Sequence, residues 1–377
     1  MASPTELHPH SPQSLLPLLA LYLPYSLPIY SSITCGPLVS PTAASPDDQD
    51  SAHDSPWDWA WATFSPSQLE CTDVKKGRPG AEETLGIFAC LVQCAGHGKI
   101  QTRAFCNVEA DVEDPNVSEG QRESRKDKGL SVSQDLAQRY VEICPDLLLL
   151  GATHEWWTRG VHEALGKEVV NGMADLWIEP EQNPQASSSS AESSMVELQR
   201  ERLLDDGSQY IVEEATDEDC QLIQEKRDIQ VPLPYYLERK RCITAIRHVL
   251  CSSPKGTDLA GTASTADPAE TTGGRDGKTA SSLVSKANKA ETVALIMTHA
   301  AGDQGALYVH PEHRRRGLAK WIVQANLARE RKRSGGQVRG HVWVMRGNEA
   351  SEALWRSMGW KKYWAGQWIV LRAEGIE

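Results

Sequence analysis

The stretch LYVHPEHRRRGLAKW, residues 307–321, constrains the fold of this chain more than any other. An apolar run ends at Pro311, three consecutive arginines follow, and Gly317 opens a helical pattern whose inward stripe is Leu318, Ile322, Ala325 and Ala328. A strand stopped by proline and turned through glycine into a helix leaves the first backbone N–H groups of that helix without intrahelical acceptors. With the positive end of the helix dipole they form an anion site, and glycine lets a bulky phosphate approach the main chain. The spacing Arg314-x-x-Gly317-x-Ala319 suits a pyrophosphate. It is neither G-x-G-x-x-G nor the Gly-Lys-Ser/Thr end of a P-loop.

The flanking text supplies matching elements. YIVEEA (210–215), CITAIRHVL, ETVALIMTH, GALYVHP and GHVWVM have the composition of strands. TDEDCQLIQEKRDI predicts a helix with Thr216 as N-cap and Asp217 and Glu218 in its first turn. PYYLERKR continues helically, NEASEALWRSMG predicts a helix capped by Asn348 and stopped by Gly359, and WKKYWAGQWIVLR predicts a final strand pair. In the N-terminal half WDWAWATF, TLGIFACLVQC, KIQTRAFCNV, DLLLLGA and GMADLWIEP read as strands. SVSQDLAQRYVEI and HEWWTRGVHEALG read as helices, and SLLPLLALYLPYSLPIYSSI as a short helix followed by a strand.

Four stretches have the composition of loops: 36–56, 113–129, 183–194 and 252–282, each rich in Ser, Gly, Pro and charge and poor in apolar side chains. They divide the 377 residues into an N-terminal α/β domain (1–182), a low-complexity linker (183–207) and a C-terminal domain (208–377) with an insertion at 252–291. The formal net charge of −12 argues against non-specific nucleic-acid binding. Nine scattered cysteines without a C-x-x-C pair or zinc-ligand spacing predict free thiols, a reducing compartment and no bound metal. The N-terminal apolar run is broken by Pro17, Pro24 and Pro28 and no Lys or Arg precedes Lys75, so neither a secretory signal nor a membrane span is expected. The reading is a cytoplasmic chain, with the nucleus left open.

The strand ALYVHP, then R-R-R-G-L-A, a helix, the strand HVWVM and N-x5-L-W-x3-G-W resemble the GNAT superfamily of acyl-CoA-dependent N-acyltransferases. Within it the text is similar to the glycine N-acyltransferase-like branch. The resemblance spans about residues 208–377. It implies an α/β (α+β) fold in which a splayed mixed sheet is flanked by helices, with acetyl-CoA or another acyl-CoA as co-substrate and a small-molecule amine or amino acid as acceptor. The backbone amides of Arg315, Arg316, Gly317, Leu318 and Ala319 would hold the CoA pyrophosphate, with Arg314 and Arg316 adding charge. Leu307, Tyr308 and Val309 would offer N–H groups to the thioester oxygen, and Asn348 would contact the pantetheine arm. The N-terminal domain is similar in its order of elements to a non-catalytic, degenerate GNAT-like half, and LPYSLPIY resembles the opening of that half.

Other roles stay open at this point. Asp303 lines up with the family carboxylate that takes a proton from the amine, yet it also serves as a turn former in AGDQG; His299, His310 and Glu312 are further bases. Many GNAT members carry a tyrosine where this chain has Trp355, so Tyr308 or solvent would have to protonate the departing thiolate. The triple arginine also reads as a solvated face, or with RERKR (329–333) as a nucleic-acid or nuclear-import patch; its fixed offset from Pro311 and Gly317 favours the anion site. Trp364 and Trp368 belong to a core or line an acceptor pocket. The competing functions are protein N-acetylation and a CoA-binding or interaction module with little catalysis.

Overall fold

The computed structural model describes residues 6–39, 60–71, 85–96, 99–113, 116–143, 147–154, 158–160, 163, 170–180, 200–227, 231–249, 290–336 and 338–372. The predicted loops at 183–194 and 252–282, most of 36–56 and most of the helix at 154–166 lie outside them.

The first half runs β1 (His8–His10), α1 (Pro12–Ala20), α2 (Leu27–Val39), β2 (Ala60–Ala62), α3 (Pro66–Cys71), β3 (Ala89–Gly96), β4 (Lys99–Cys106), α4 (Val108–Glu113), α5 (Glu119–Ile143), β5 (Leu147–His154) and β6 (Val170–Ile178). The second runs β7 (Glu201–Leu203), β8 (Gln209–Glu214), α6 (Asp217–Lys226), α7 (Leu233–Glu238), β9 (Ile243–Val249), β10 (Ala290–Thr298), β11 (Gln304–Val309), α8 (Leu318–Arg333), β12 (His341–Met345), α9 (Glu349–Ser357) and β13 (Lys361–Arg372).

Among the described residues all thirteen strands join one sheet in the order β1-β2-β3-β4-β5-β13-β6-β12-β11-β10-β9-β8-β7. Its neighbours are antiparallel except at two places. β4 meets β5 in parallel only at Thr102 and Leu150, and β11 meets β12 in parallel only at Gln304 and Val342. The two halves thus repeat one plan, a meander followed by a splayed parallel pair. They are joined by exchange: β6 of the first half lies against β12 of the second, and β13 of the second lies against β5 of the first.

The end of the expected linker 183–207 is the strand β7, paired with β8 at Glu201 to Leu203, and three further elements differ from the sequence reading, each for a local reason. The expected N-terminal strand is the helix α2, in which Ser32 and Thr34 turn their hydroxyls back onto the carbonyls of Pro28 and Tyr30, so that packing rather than these polar side chains accounts for it. This helix buries Ile29 and Ile33 beside Phe64, Phe88 and Phe105. The expected loop 113–129 is helical from Glu119, because Gln121 accepts from the backbone N–H and hydroxyl of Ser118 and a Lys126–Glu123 pair stabilises the solvated face. The expected last strand pair is one strand, β13, whose register shifts at Lys362/Ala365 and Gln367/Trp368 let it follow β6 while β5 lies on its other side.

Elsewhere the local signals act as read. Thr216 caps α6 in a capping box with Asp219, and Asn348 caps α9 by accepting from Ser351 N–H at 3.1 Å. Leu318, Ile322 and Ala325 are buried along α8, while Ala328 is half-buried. Cys35, Cys90, Cys106, Cys220 and Cys242 are buried free thiols. No helix of the described residues is long and apolar enough to cross a membrane.

The exchange carries a polar staple. Asp175 on β6 is 1 % exposed and accepts from Arg346 Nε at 3.1 Å and Lys362 Nζ at 2.5 Å, so one carboxylate of the first half holds two cations of the second. Asp175→Ala should lower the unfolding free energy by about 2–4 kcal/mol. Urea unfolding would register this as a lower midpoint with unchanged slope.

Candidate active site

The site begins where β11 leaves β12. Asn326 of α8 donates from Nδ2 to Thr298 Oγ1 and to Gln304 Oε1, both at 2.7 Å. Gln304 donates to Thr298 Oγ1 at 3.0 Å, and Thr244 donates to Asn326 Oδ1 at 2.8 Å. Burial makes each of these bonds matter more, since a stranded partner has no water to turn to. The network fixes Gln304 beside Val342, and past that pair the two strands separate.

A bulge sharpens the departure. The step from Leu295 to Met297 on β10 opposes the three-residue step from Gly305 to Tyr308 on β11, with Ala306 at φ 52°. His310 N–H donates to Val293 O on β10 at 2.7 Å. Alternation along a strand then aims the N–H groups of Val309 and Leu307 into the gap on the β12 side. The side chains of Leu307 and Val309 pack in the core under α8, whereas Tyr308 packs on the opposite face with Tyr235, Tyr236 and Ile223.

At the far end of β11 the chain turns sharply. Arg315 is at φ 61° and Gly317 at 76°. The first backbone bond into α8 is Trp321 N–H to Gly317 O. Among the described residues the N–H groups of Arg315 to Lys320 have no backbone acceptor, and Arg315 and Gly317 are exposed. A Cβ added at Gly317 would meet only Arg202 Nη1, at 3.4 Å, so the space above this cradle is open. Open space over six unpaired amides is what a diphosphate requires.

The three arginines part company. Arg314 Nε donates to Val309 O at 3.1 Å. Arg316 turns away to the β7–β8 hairpin, where Nη1 donates to Asp206 Oδ2 at 2.6 Å and to Ser208 Oγ and Tyr210 OH at 3.1 Å. Arg315 stays at the surface. The sequence reading missed Arg202, which lies over the Trp321 ring beside Gly317 and brings a further cation to the cradle. Nothing in the local text marks it, since β7 is more than a hundred residues away. Asn348 sits exposed at the start of α9, its Oδ1 engaged by the cap.

The other face of the splay holds the polar groups. Gln304 and Val342 face α8, so alternation turns Asp303 and His341 away from it. Asp303 accepts from His299 N–H through its main-chain oxygen, and its buried Oδ1 has no partner among the described residues. His299 lies against Gly305, where a Cβ would come within 2.3 Å of Nε2, and its Nδ1 shares a 2.9 Å bond with Tyr235 OH. Burial pushes the His341 imidazole towards its neutral form; Asp303 and the Arg339 carbonyl oppose this, while Arg103 and Arg339 reinforce it. Burial likewise drives the Tyr235 hydroxyl well above the usual phenol range.

The first half closes over this face. Cys35 of α2 sits over Gly302, where a Cβ would come within 2.9 Å of Sγ, and burial raises its thiol to about 12. Arg103 of β4 is 5 % exposed, and its Nε and Nη1 have no partner among the described residues. Trp364, on β13, lies tilted against His154 at 5.3 Å and its Nε1 is likewise buried without a partner among the described residues, while Trp343 stands edge-on to Trp364 and Trp368 at 5.0 and 5.5 Å. Trp355 is core: its indole donates to Ser351 Oγ at 3.0 Å.

The corresponding turn of the first half is filled by its own side chains. After β4, Glu109 accepts from Cys106 N–H at 2.9 Å and Asn107 accepts from Phe88 N–H at 3.1 Å. A buried carboxylate stands there, where the second half offers open amides.

Residues 282–369 match the FR47-like protein family. The matched segment runs through β10, β11, α8, β12 and α9 into β13, and so holds both the splay and the arginine turn. That part of the chain is similar to FR47-like proteins. A Drosophila protein solved by X-ray crystallography is similar in fold at a TM-score of 0.52 and 15% identity, with 98% of this chain and 99% of that one covered. A tandem GNAT protein from the clavulanic acid biosynthesis pathway aligns at 0.39 and 11% identity over 99% of each chain. A GCN5-related N-acetyltransferase from Kribbella flavida aligns at 0.34 and 10% identity, over 74% of this chain and 85% of that one. At TM-scores below 0.5 these two add nothing to the fold assignment. No curated protein matches the chain by sequence.

The network that fixes the splay predicts its own test. Asn326→Leu strands buried polar atoms on Thr298, Gln304 and Thr244, and should cost about 2–4 kcal/mol. Differential scanning calorimetry would show this as a lower Tm.

Proposed function

We propose that the chain is an acyl-CoA-dependent N-acyltransferase whose acceptor is a small amine. One observation carries the reading: a strand edge freed by the Gln304–Val342 departure runs directly into a helix start with six unpaired amides. A thioester with a nucleotide diphosphate tail matches both parts. Its diphosphate is held by the amides of Arg315 to Lys320 with Arg202 and Arg315 nearby, and its extended arm pairs along β11.

The thioester supplies an activated acyl carbon with a thiol leaving group. The N–H groups of Leu307 and Val309 stabilise the negative charge that develops on the carbonyl oxygen during attack. Attack requires a neutral amine, and an ammonium group approaching from the face away from α8 meets Asp303, whose free Oδ1 accepts its proton. The amine nitrogen bonds to the acyl carbon as the carbon–sulfur bond breaks, and the thiolate takes a proton from Tyr308 or solvent. No covalent intermediate on the enzyme is needed.

The acceptor face favours a small molecule over a protein amine, because α2 and β4 of the first half cover it. The orphaned donors of Arg103 support an acceptor that also carries an anionic group, and an amino acid has both parts.

Titration calorimetry with acetyl-CoA at pH 8 should give one site per chain. Gly317→Glu, which places bulk and negative charge in the cradle, should weaken it by about a hundredfold or more. Unchanged affinity would refute the assignment. With a panel of amines, Asp303→Asn should lower the rate of free-thiol release by about 10²–10⁴-fold at pH 7 while leaving acetyl-CoA affinity intact. Binding without thiol release from any acceptor would instead favour a CoA-binding module.

A further inference from the structure

We propose that His313 is a positioning residue for the anion-binding turn, held as the neutral Nε2–H tautomer by Tyr210 and Arg316, and that its protonation releases the turn and the bound CoA thioester. The proposal rests on the reading of that turn as the diphosphate site.

The hydrogen-bond directions fix the tautomer. Arg316 has only donors, and its Nη1 lies 3.1 Å from Tyr210 OH, so the phenol oxygen accepts there. The phenol proton must then go elsewhere. Tyr210 is fully buried, and its other partner is His313 Nδ1 at 3.0 Å. That nitrogen therefore accepts, and the ring carries its proton on Nε2. A protonated ring would put a second donor on Nδ1 facing the Tyr210 hydroxyl, leaving one buried proton without an acceptor.

The surroundings act in the same direction. From β9, His248 approaches His313 at 4.9 Å between ring centroids and stacks on Tyr210 at 5.1 Å. From the same turn His310 stands at 5.8 Å, and Arg316 adds a fixed positive charge. Glu291 of β10 acts on the ring with the opposite sign. Burial first, then His248, Arg316 and His310, lower the basicity of His313, and Glu291 opposes them. The imidazoles do not make a metal site, since no group of three or more His, Cys, Asp or Glu among the described residues can hold an ion.

The link to the cradle is mechanical. His313 closes the short turn Pro311–His313 immediately before Arg314, and Arg316 lies between the two positive-φ residues Arg315 and Gly317. Arg316 is moored to Asp206, Ser208 and Tyr210, so whatever loosens Tyr210 loosens the segment that presents the amides. A group less basic in the folded turn than in free imidazole favours the ordered form above about pH 6.5 and opposes it below.

Acetyl-CoA affinity measured by calorimetry between pH 8 and pH 5.5 tests this in three proteins. In the wild type the dissociation constant should rise about tenfold or more at the acid end. The ligand's terminal phosphate titrates over the same range, so the comparison with variants decides. His313→Gln keeps an acceptor for the Tyr210 proton but cannot charge, and should flatten the profile to the part owed to the phosphate. Tyr210→Phe frees the ring and should move the acid step to higher pH. A His313→Gln profile that parallels the wild type would overturn the proposal. Nitrogen-15 NMR of the His313 ring gives a second readout without ligand, and separates this idea from the diphosphate reading. It should show the Nε2–H form at pH 7, and the amide shifts of residues 314–319 should follow its titration. A ring protonated on Nδ1 at pH 7, or amides indifferent to its titration, would sink the proposal even if CoA binds. If wild-type protein does not bind CoA at pH 8 while the NMR pattern holds, the diphosphate reading fails and the positioning role stands.

Discussion

The early parting of β11 from β12 governs the rest of the second half. Parallel strands normally continue their ladder, and here the ladder stops after one residue pair. A buried amide cluster on one side and a bulge on the other make the separation the favoured arrangement: Gln304 is tied down to Asn326 while Ala306 bends the chain away. The gap therefore needs no ligand to hold it open. Its free N–H groups stay satisfiable only because the gap is accessible to solvent or to an extended partner.

The two halves use one plan for different ends. Each has a meander, a splayed parallel pair and a turn into a helix, but the first half fills its turn with Glu109 and Asn107 while the second leaves its amides free and surrounds them with arginine. Exchange of β6 and β13 makes the halves one continuous sheet, with Trp364 and Leu27 from opposite halves sharing a core. A consequence is that the face carrying Asp303, His299 and His341 is roofed by α2 and β4. The division of labour follows: the second half supplies the open amides and the strand edge, and the first supplies the roof and a buried cation.

Much of the second half was legible because its signals are local. Pro311, Gly317, the Thr216 capping box and the Asn348 cap each act within four residues, and the apolar stripe of α8 follows from helical spacing. The N-terminal half was less legible for a physical reason that its residues display. Ile29, Ile33 and Thr34 have strand-like side chains, yet they sit in a helix because a phenylalanine cluster receives its apolar side. Charged text at 119–129 is a solvated helical face that composition alone does not distinguish from a loop.

By itself the sequence determined the strand, the arginine turn, the glycine and the helix that together leave a helix start with unpaired amides, since these depend on backbone stereochemistry over a dozen residues. Tertiary structure alone decided which arginine faces the cradle, how β6 and β13 change places, and that Arg103 and Asp303 come to one face. Those outcomes depend on contacts between residues a hundred or more positions apart, whose register is set by packing and buried hydrogen bonds rather than by any neighbour in the chain.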